Sequence, residues 1–469
     1  MRILPRILIA CALGLAACDR GTAPPDGLVQ GDDESLQWAV AGIQDDLSRL
    51  RNLPFDAPVI SRWVKRERLM VLLDSIEAAN PGKPDTTTGP HPTETELFVA
   101  LDLMDAAKSA EEEQRKFDGD NIGGFYVTGT GKFWLVEDPD QPEEVSYTLI
   151  AHELAHALQN LNFWDTLRRG AGYDEHLALQ HLVEGEAEYL GDLWSLRPST
   201  IEAFEAKYRP ITLDFILDAA RNDHPTTPLA LTLPIYSHYW VGEWSIHDQR
   251  KALGWSSIDE LHRNAPRSTK RMLHPFAGAD ALTIAEWPED VFRNRPGLVP
   301  LGSDRLGEVY LAAMLHWRAP SLAWRSSSWK GDRFWLWRAG DSLHHIAAGR
   351  IRFETAADAT QFLSKWAAGR GLVAKIDGEF DSLEAPRGDT GRVRAVRRGG
   401  DVSLMYGSHP DRWPAYVADS IWSELADARP TSLSAARRAP SVADPSKASF
   451  PPFPSKPVHI WKEYLRSRP

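Results

Sequence analysis

His152 and His156 stand four residues apart in the pentad His152-Glu153-Leu154-Ala155-His156. On a helix, that spacing puts both imidazoles on one face, a turn apart, so both can reach a single metal ion. Glu153 sits beside the first imidazole, where it can meet a water on that metal. The chain has 15 histidines, and composition alone gives roughly 0.03 such pentads, so chance is a poor account of this one. Leu149-Ile150-Ala151 and Ala157-Leu158 carry no charge. This predicts a buried, stiff metal helix rather than a surface helix with two solvated histidines.

Zinc held by two imidazoles needs a third protein ligand and one open position for catalysis. Glu184 is the candidate, in His181-Leu182-Val183-Glu184-Gly185-Glu186-Ala187-Glu188-Tyr189 on the next predicted helix. Antiparallel packing of the two helices would bring it opposite the pair. His181, one turn earlier, is the rival ligand. Glu188, one turn later on the same face, is expected to hold the far nitrogen of a ligand histidine. Glu186 points roughly the other way and is expected to face solvent. Gly185 weakens a helix yet sits within one, which suggests close approach to another backbone.

The elements that must position these residues can be read from periodicity. Leu36, Val40, Ile43, Leu47 and Leu50 recur at helical spacing. Helices are also expected over 66–79 and 94–115, with a Pro/Thr/Gly-rich loop between them. Two strand-like runs, 124–127 and 132–136, flank Thr128-Gly129-Thr130-Gly131, a hairpin turn signal. Pro142-Glu143-Glu144 suits the first turn of the metal helix, which is expected to run to about Leu161. The next helix covers about 176–196, and helices dominate to about 264. A helix and strands mix over 301–370, and a second hairpin is expected around Arg398-Gly399-Gly400-Asp401. The fold class is therefore α+β, mainly α. The expected division is a signal over 1–17, a tether over 18–35, a metal-binding domain over 36–300, a C-terminal α+β subdomain over 301–427 and a Pro/Ser/Ala-rich tail over 428–469. Within the metal-binding domain, 36–120 is the helical part and 121–300 the metal-helix core.

The chain has 469 residues, 43% hydrophobic and 25% charged, with net charge −12. This is a globular balance, and its acidity argues against a nucleic-acid binder. Both cysteines, Cys11 and Cys18, lie near the N-terminus, so the body needs neither disulfide nor Cys-ligated metal. Arg2 and Arg6 precede an apolar run that is too short to span a bilayer. The run ends in Leu15-Ala16-Ala17-Cys18, which resembles a bacterial lipoprotein box. The resemblance implies cleavage before Cys18, lipidation there and a body held at the cell envelope, facing the periplasm, at either the inner or the outer membrane.

The pentad with a glutamate on the following helix resembles the gluzincin pattern of thermolysin-like and aminopeptidase-like zinc peptidases. That implies a zincin core, one Zn2+ ion, and Glu153 as general base. Glu184-Gly185-x-Ala187 is similar to the aminopeptidase branch, but the Gly-x-Met-Glu-Asn motif that binds a free amine is absent, so an endopeptidase is expected. A nearer resemblance is to a sparsely characterised family of bacterial metallopeptidases. Its marks are Ala157-Leu158-Gln159 after the pentad, Tyr239-Trp240-Val241-Gly242, Ser268-Thr269-Lys270-Arg271-Met272-Leu273-His274-Pro275, and Trp329 to Arg333. It covers about residues 36–370, with His238 where the family would have proline. Gluzincins place a Tyr or His downstream as oxyanion donor. Tyr239 is the first choice, with Gly242 permitting close approach of the chain, and His274 is the rival.

The strand over 132–136 precedes the metal helix as a zincin edge strand does, and it could bind an extended peptide by strand addition. The expected substrate is a peptide or protein of the cell envelope. Two other readings remain: an inactive metal-binding pseudo-peptidase serving envelope assembly, or a zinc hydrolase acting on cell-wall peptides. The tryptophans between Trp317 and Trp337 are read as packing before glycan contact.

Overall fold

The computed structural model describes residues 34–408, with the exception of 57–58, 80–93, 106, 128–130, 138–146, 164–171, 197–209, 277–296, 317–327, 340–344, 373–374, 378–379 and 388–390. The signal, Cys18, the tether up to residue 33, Pro142 and the tail lie outside the described residues. Among the described residues, no helix is long and apolar enough to cross a membrane.

The first half runs α1 (Glu34–Arg51), β1 (Ile60–Lys65), α2 (Arg66–Ala79), α3 (Glu94–Ala100), α4 (Ala110–Asn121), β2 (Gly124–Val127), β3 (Lys132–Glu137), α5 (Tyr147–Phe163) and α6 (Tyr173–Ser195). After these come α7 (Leu213–Asp223), α8 (Leu229–Tyr236), a π-helical turn (Ser237–Val241), α9 (Gly242–Leu253), α10 (Trp255–Arg263) and α11 (Thr269–Leu273). The last part is β4 (Leu298–Asp304), α12 (Gly307–His316), β5 (Trp329–Ala339), β6 (His345–Phe353), α13 (Ala356–Ala368), β7 (Lys375–Asp377), β8 (Phe380–Arg387), β9 (Gly391–Arg398) and β10 (Asp401–Ser408). The protein is thus α+β and mainly helical.

A three-stranded sheet has the order β1-β3-β2, with β1 parallel and β2 antiparallel to β3. This corrects the expectation for residues 132–136. β3 is the central strand, so both its edges are already paired, and among the described residues the hairpin's free edge belongs to β2. β1 gave no clear sequence signal, because its six residues follow the burial pattern eBiiBe without strict alternation. The sheet is buried on both faces. Tyr126, Phe133 and Leu135 pack with α1 and α5 on one side, while Phe125, Trp134 and Val136 pack with α2 and α4 on the other.

The expected helix over 94–115 is broken. Asp102 adopts φ 59° between α3 and α4, and the Ser109 hydroxyl accepts from Glu112 N to start α4 afresh. Turning the chain there buries Leu101, Leu103 and Met104 together, which a straight helix would not do.

A seven-stranded antiparallel sheet, β4-β5-β6-β10-β9-β8-β7, closes the structure. The β9–β10 hairpin forms where expected, with Gly399 at φ 56°. Trp329, Trp335 and Trp337 are buried, as packing rather than glycan contact requires, while Trp317 and Trp324 lie outside the described residues. The largest core unites Phe98, Ile216 and Leu231 with Leu311, Trp329, Phe362 and Leu404, so residues on both sides of position 300 share it.

Candidate metal centre

α5 carries the pentad and is buried from Leu149 to Gln159. Its partner is α6, and four pairs fix the register. Thr148 faces Gly191, His152 faces Glu188, His156 faces Glu184, and Gln159 faces Val183. One index rises as the other falls, so the helices are antiparallel. Gly185 lets a third helix close on this pair. A Cβ there would lie 2.2 Å from the Gly242 carbonyl carbon, and a Cβ on Gly242 would lie 2.5 Å from His181 O. Each glycine is needed because the other helix's backbone occupies the space.

His152, His156 and Glu184 are brought together, each fully or almost fully buried. The two Nε2 atoms lie 3.1 Å apart, and Glu184 Oε2 lies 3.3 Å from each. Donors on a tetrahedral zinc at about 2.0–2.1 Å sit about 3.3–3.4 Å from one another, so the three atoms fit the face of such a polyhedron. Neither oxygen of Glu184 has a hydrogen bond of good geometry, and neither does either oxygen of Glu153. Buried carboxylates are rarely left so, and a cation among them would satisfy Glu184.

The electrostatics favour positive charge at this point. Burial raises the Glu184 pKa, but His156 and His152 outweigh it and hold the carboxyl well below its usual range. Burial lowers His152, yet Glu184 and Glu188 carry it up to about 10. The field that favours a protonated imidazole also favours a divalent cation. Glu153 is pushed up to about 7, first by burial, against the pull of both imidazoles. The Tyr126 amide also favours its carboxylate without completing a hydrogen bond.

The other candidates fall into distinct places. Glu188 Oε2 lies 3.2 Å from His152 Nδ1. His181 is occupied at both ring nitrogens, with Leu177 O at 2.7 Å and Ser237 Oγ at 2.6 Å, and it does not belong to the ligand group. Tyr239, on the π-helical turn, is buried with its ring 6.0 Å from that of His152. His238 packs against Tyr239 at 4.5 Å and is pushed down to about 3, chiefly by burial. His274 Nε2 pairs with Glu308 Oε1 at 2.8 Å, a bond to the first turn of α12.

Glu186 corrects the sequence reading. It is 1% exposed and pairs with Arg51 and His262, each at 2.5 Å. α1 and α10 cover the face of α6 that an isolated helix would leave to solvent. Gln159 has no chemical role in the sequence reading, although it lies one turn from His156 and its Oε1 meets His156 Nδ1 at 3.1 Å. The spacing could have pointed to it, whereas nothing local pointed to Arg51.

Residues 298–417 match a family described only as a domain of unknown function, DUF8575. No curated protein matches the chain. Among solved structures, the extracellular domain of PknH from Mycobacterium tuberculosis aligns at 10% identity and TM-score 0.21, over 32% of this chain and 98% of that one.

Proposed function

We propose that the chain is a zinc-dependent endopeptidase with a gluzincin-type zincin core, lipid-anchored through Cys18 and acting on peptides or proteins of the cell envelope. The observation that carries this reading is the buried triad of donors spaced 3.1–3.3 Å apart, beside a second buried carboxylate whose oxygens lack hydrogen bonds of good geometry. His152 and His156 would hold zinc through Nε2 and Glu184 through Oε2. When bound, zinc supplies Lewis acidity, polarising the scissile carbonyl and acidifying water at neutral pH. Glu153 accepts the proton of the attacking water on a carboxylate oxygen and delivers it to the leaving amine. The Tyr239 phenol donates to the developing oxyanion. A substrate strand along the edge of β2 would run beside the base, since a Cβ at Gly124 would lie 3.4 Å from Glu153 Oε1.

Metal analysis and peptide-library cleavage test this together. Wild-type protein should carry one zinc ion and cut internal bonds. Glu153→Gln should keep the zinc and lose turnover by about 1,000-fold or more. Wild type that binds no zinc, or that cuts nothing when zinc-replete, would overturn the reading.

A further inference from the structure

Gln159, the third residue after the pentad, leads away from the metal site into a buried charge cluster that the hydrolytic chemistry does not use. Gln159 Nε2 donates to Val183 O at 2.8 Å and to Glu186 Oε2 at 2.9 Å. Both partners only accept, so the amide has one satisfactory orientation, with Oε1 towards His156 Nδ1. An amide oxygen also only accepts. His156 therefore carries its proton on Nδ1, and its Nε2 lone pair faces Glu184 and His152.

Glu186 holds that orientation by accepting from Gln159 while it also pairs with Arg51 and His262, each at 2.5 Å. Arg51 is the last residue of α1. It bonds Glu186 through Nε at 2.5 Å, and a terminal nitrogen forms an ion pair with Asp259 at 2.7 Å. Its guanidinium lies 4.5 Å from the centroid of the Trp255 ring. His262 stacks on Phe163 at 4.4 Å and 7°. Every member of the chain from Arg51 to His156 is thus held by more than one contact.

We propose that Gln159, fixed by Glu186 and through it by Arg51, is a positioning residue that sets the tautomer of His156 and thereby the affinity of the metal site. The inference rests on the zinc reading above. It makes the two histidines unequal: His152 leans on a carboxylate, Glu188, while His156 leans on a neutral amide whose ionic support is one residue further out.

The test uses the full-length protein, with zinc affinity measured by chelator competition and the His156 ring nitrogens observed by 15N NMR. Gln159→Met preserves side-chain length and leaves the Arg51–Glu186 pair intact. It should bind zinc about 10–100-fold more weakly and lose the single Nδ1–H signature of the wild-type ring. A Gln159→Met protein with wild-type zinc affinity and wild-type nitrogen shifts would overturn this inference alone. Wild type that binds no zinc would instead remove the reading on which it rests.

Discussion

At the scale of single residues, the chemistry depends on which groups are kept from making ordinary bonds. Glu153 and Glu184 are buried without good hydrogen bonds, an arrangement that costs stability and persists only where surrounding structure enforces it. His181, one turn from Glu184, shows the alternative, with both ring nitrogens satisfied. His181→Ala should therefore leave zinc in place. Tyr239 sits between the three-stranded sheet and His152. A donor to the oxyanion acts in the transition state, so Tyr239→Phe should lower kcat by about 100-fold with KM and zinc content little changed. Steady-state kinetics check this, and a normal kcat would remove Tyr239 from the role. The ligand candidates were legible in the sequence because helical spacing makes four-apart residues neighbours. The settings of Glu186 and His274 were not, since each is decided by a partner far along the chain, Arg51 and Glu308.

Elements bring those residues to their places, and the decisive contact is backbone against backbone. α6 and α9 cross at Gly185 and Gly242, where an added Cβ would meet main-chain atoms at 2.2 and 2.5 Å. Main chain cannot swing aside as a side chain does, so Gly185→Ala must move a helix. Overpacking costs about 1–3 kcal/mol, and this site belongs at the upper end. Because Glu184 is the adjacent residue, the same shift should weaken zinc binding. Denaturant melts with and without zinc check both effects, and a Gly185→Ala protein as stable and as tight as wild type would refute the crossing. A glycine within a helical pattern was enough to suggest this approach. The central position of β3 was not readable, because β1 joins it from about seventy residues upstream, and a parallel partner leaves no mark on the local sequence.

At the scale of the whole molecule, α6 and the seven-stranded sheet meet in a buried polar junction. Asp174, in the first turn of α6, accepts from Thr269 N at 2.9 Å and Thr269 Oγ1 at 2.6 Å, and pairs with Arg305 at 2.7 Å. Gly307 is required beside it, since a Cβ there would lie 2.0 Å from Asp174 Oδ1. Asp332, on β5, accepts from Leu306 N at 2.7 Å and Gly307 N at 3.0 Å, capping the start of α12. The blocks at Ser268–Pro275 and Trp329–Arg333, read from the sequence as marks of resemblance, thus come together as the seam of the fold. Asp332 should make that seam sensitive to pH. Burial, with Asp174 adding to it, pushes its pKa up to about 7 despite the two amide donors, against about 3.9 in an unfolded chain. The folded state therefore holds the proton more tightly than the unfolded state. The stability this gives is fully present below about pH 4 and is lost as pH rises through 7. In Asp332→Asn that dependence is absent. With zinc removed by chelator, the unfolding free energy of wild type minus that of Asp332→Asn should fall by on the order of 2–4 kcal/mol between pH 4 and 8. A difference that stays flat across that range would show that Asp332 remains ionised in the fold and that its two backbone donors outweigh its burial.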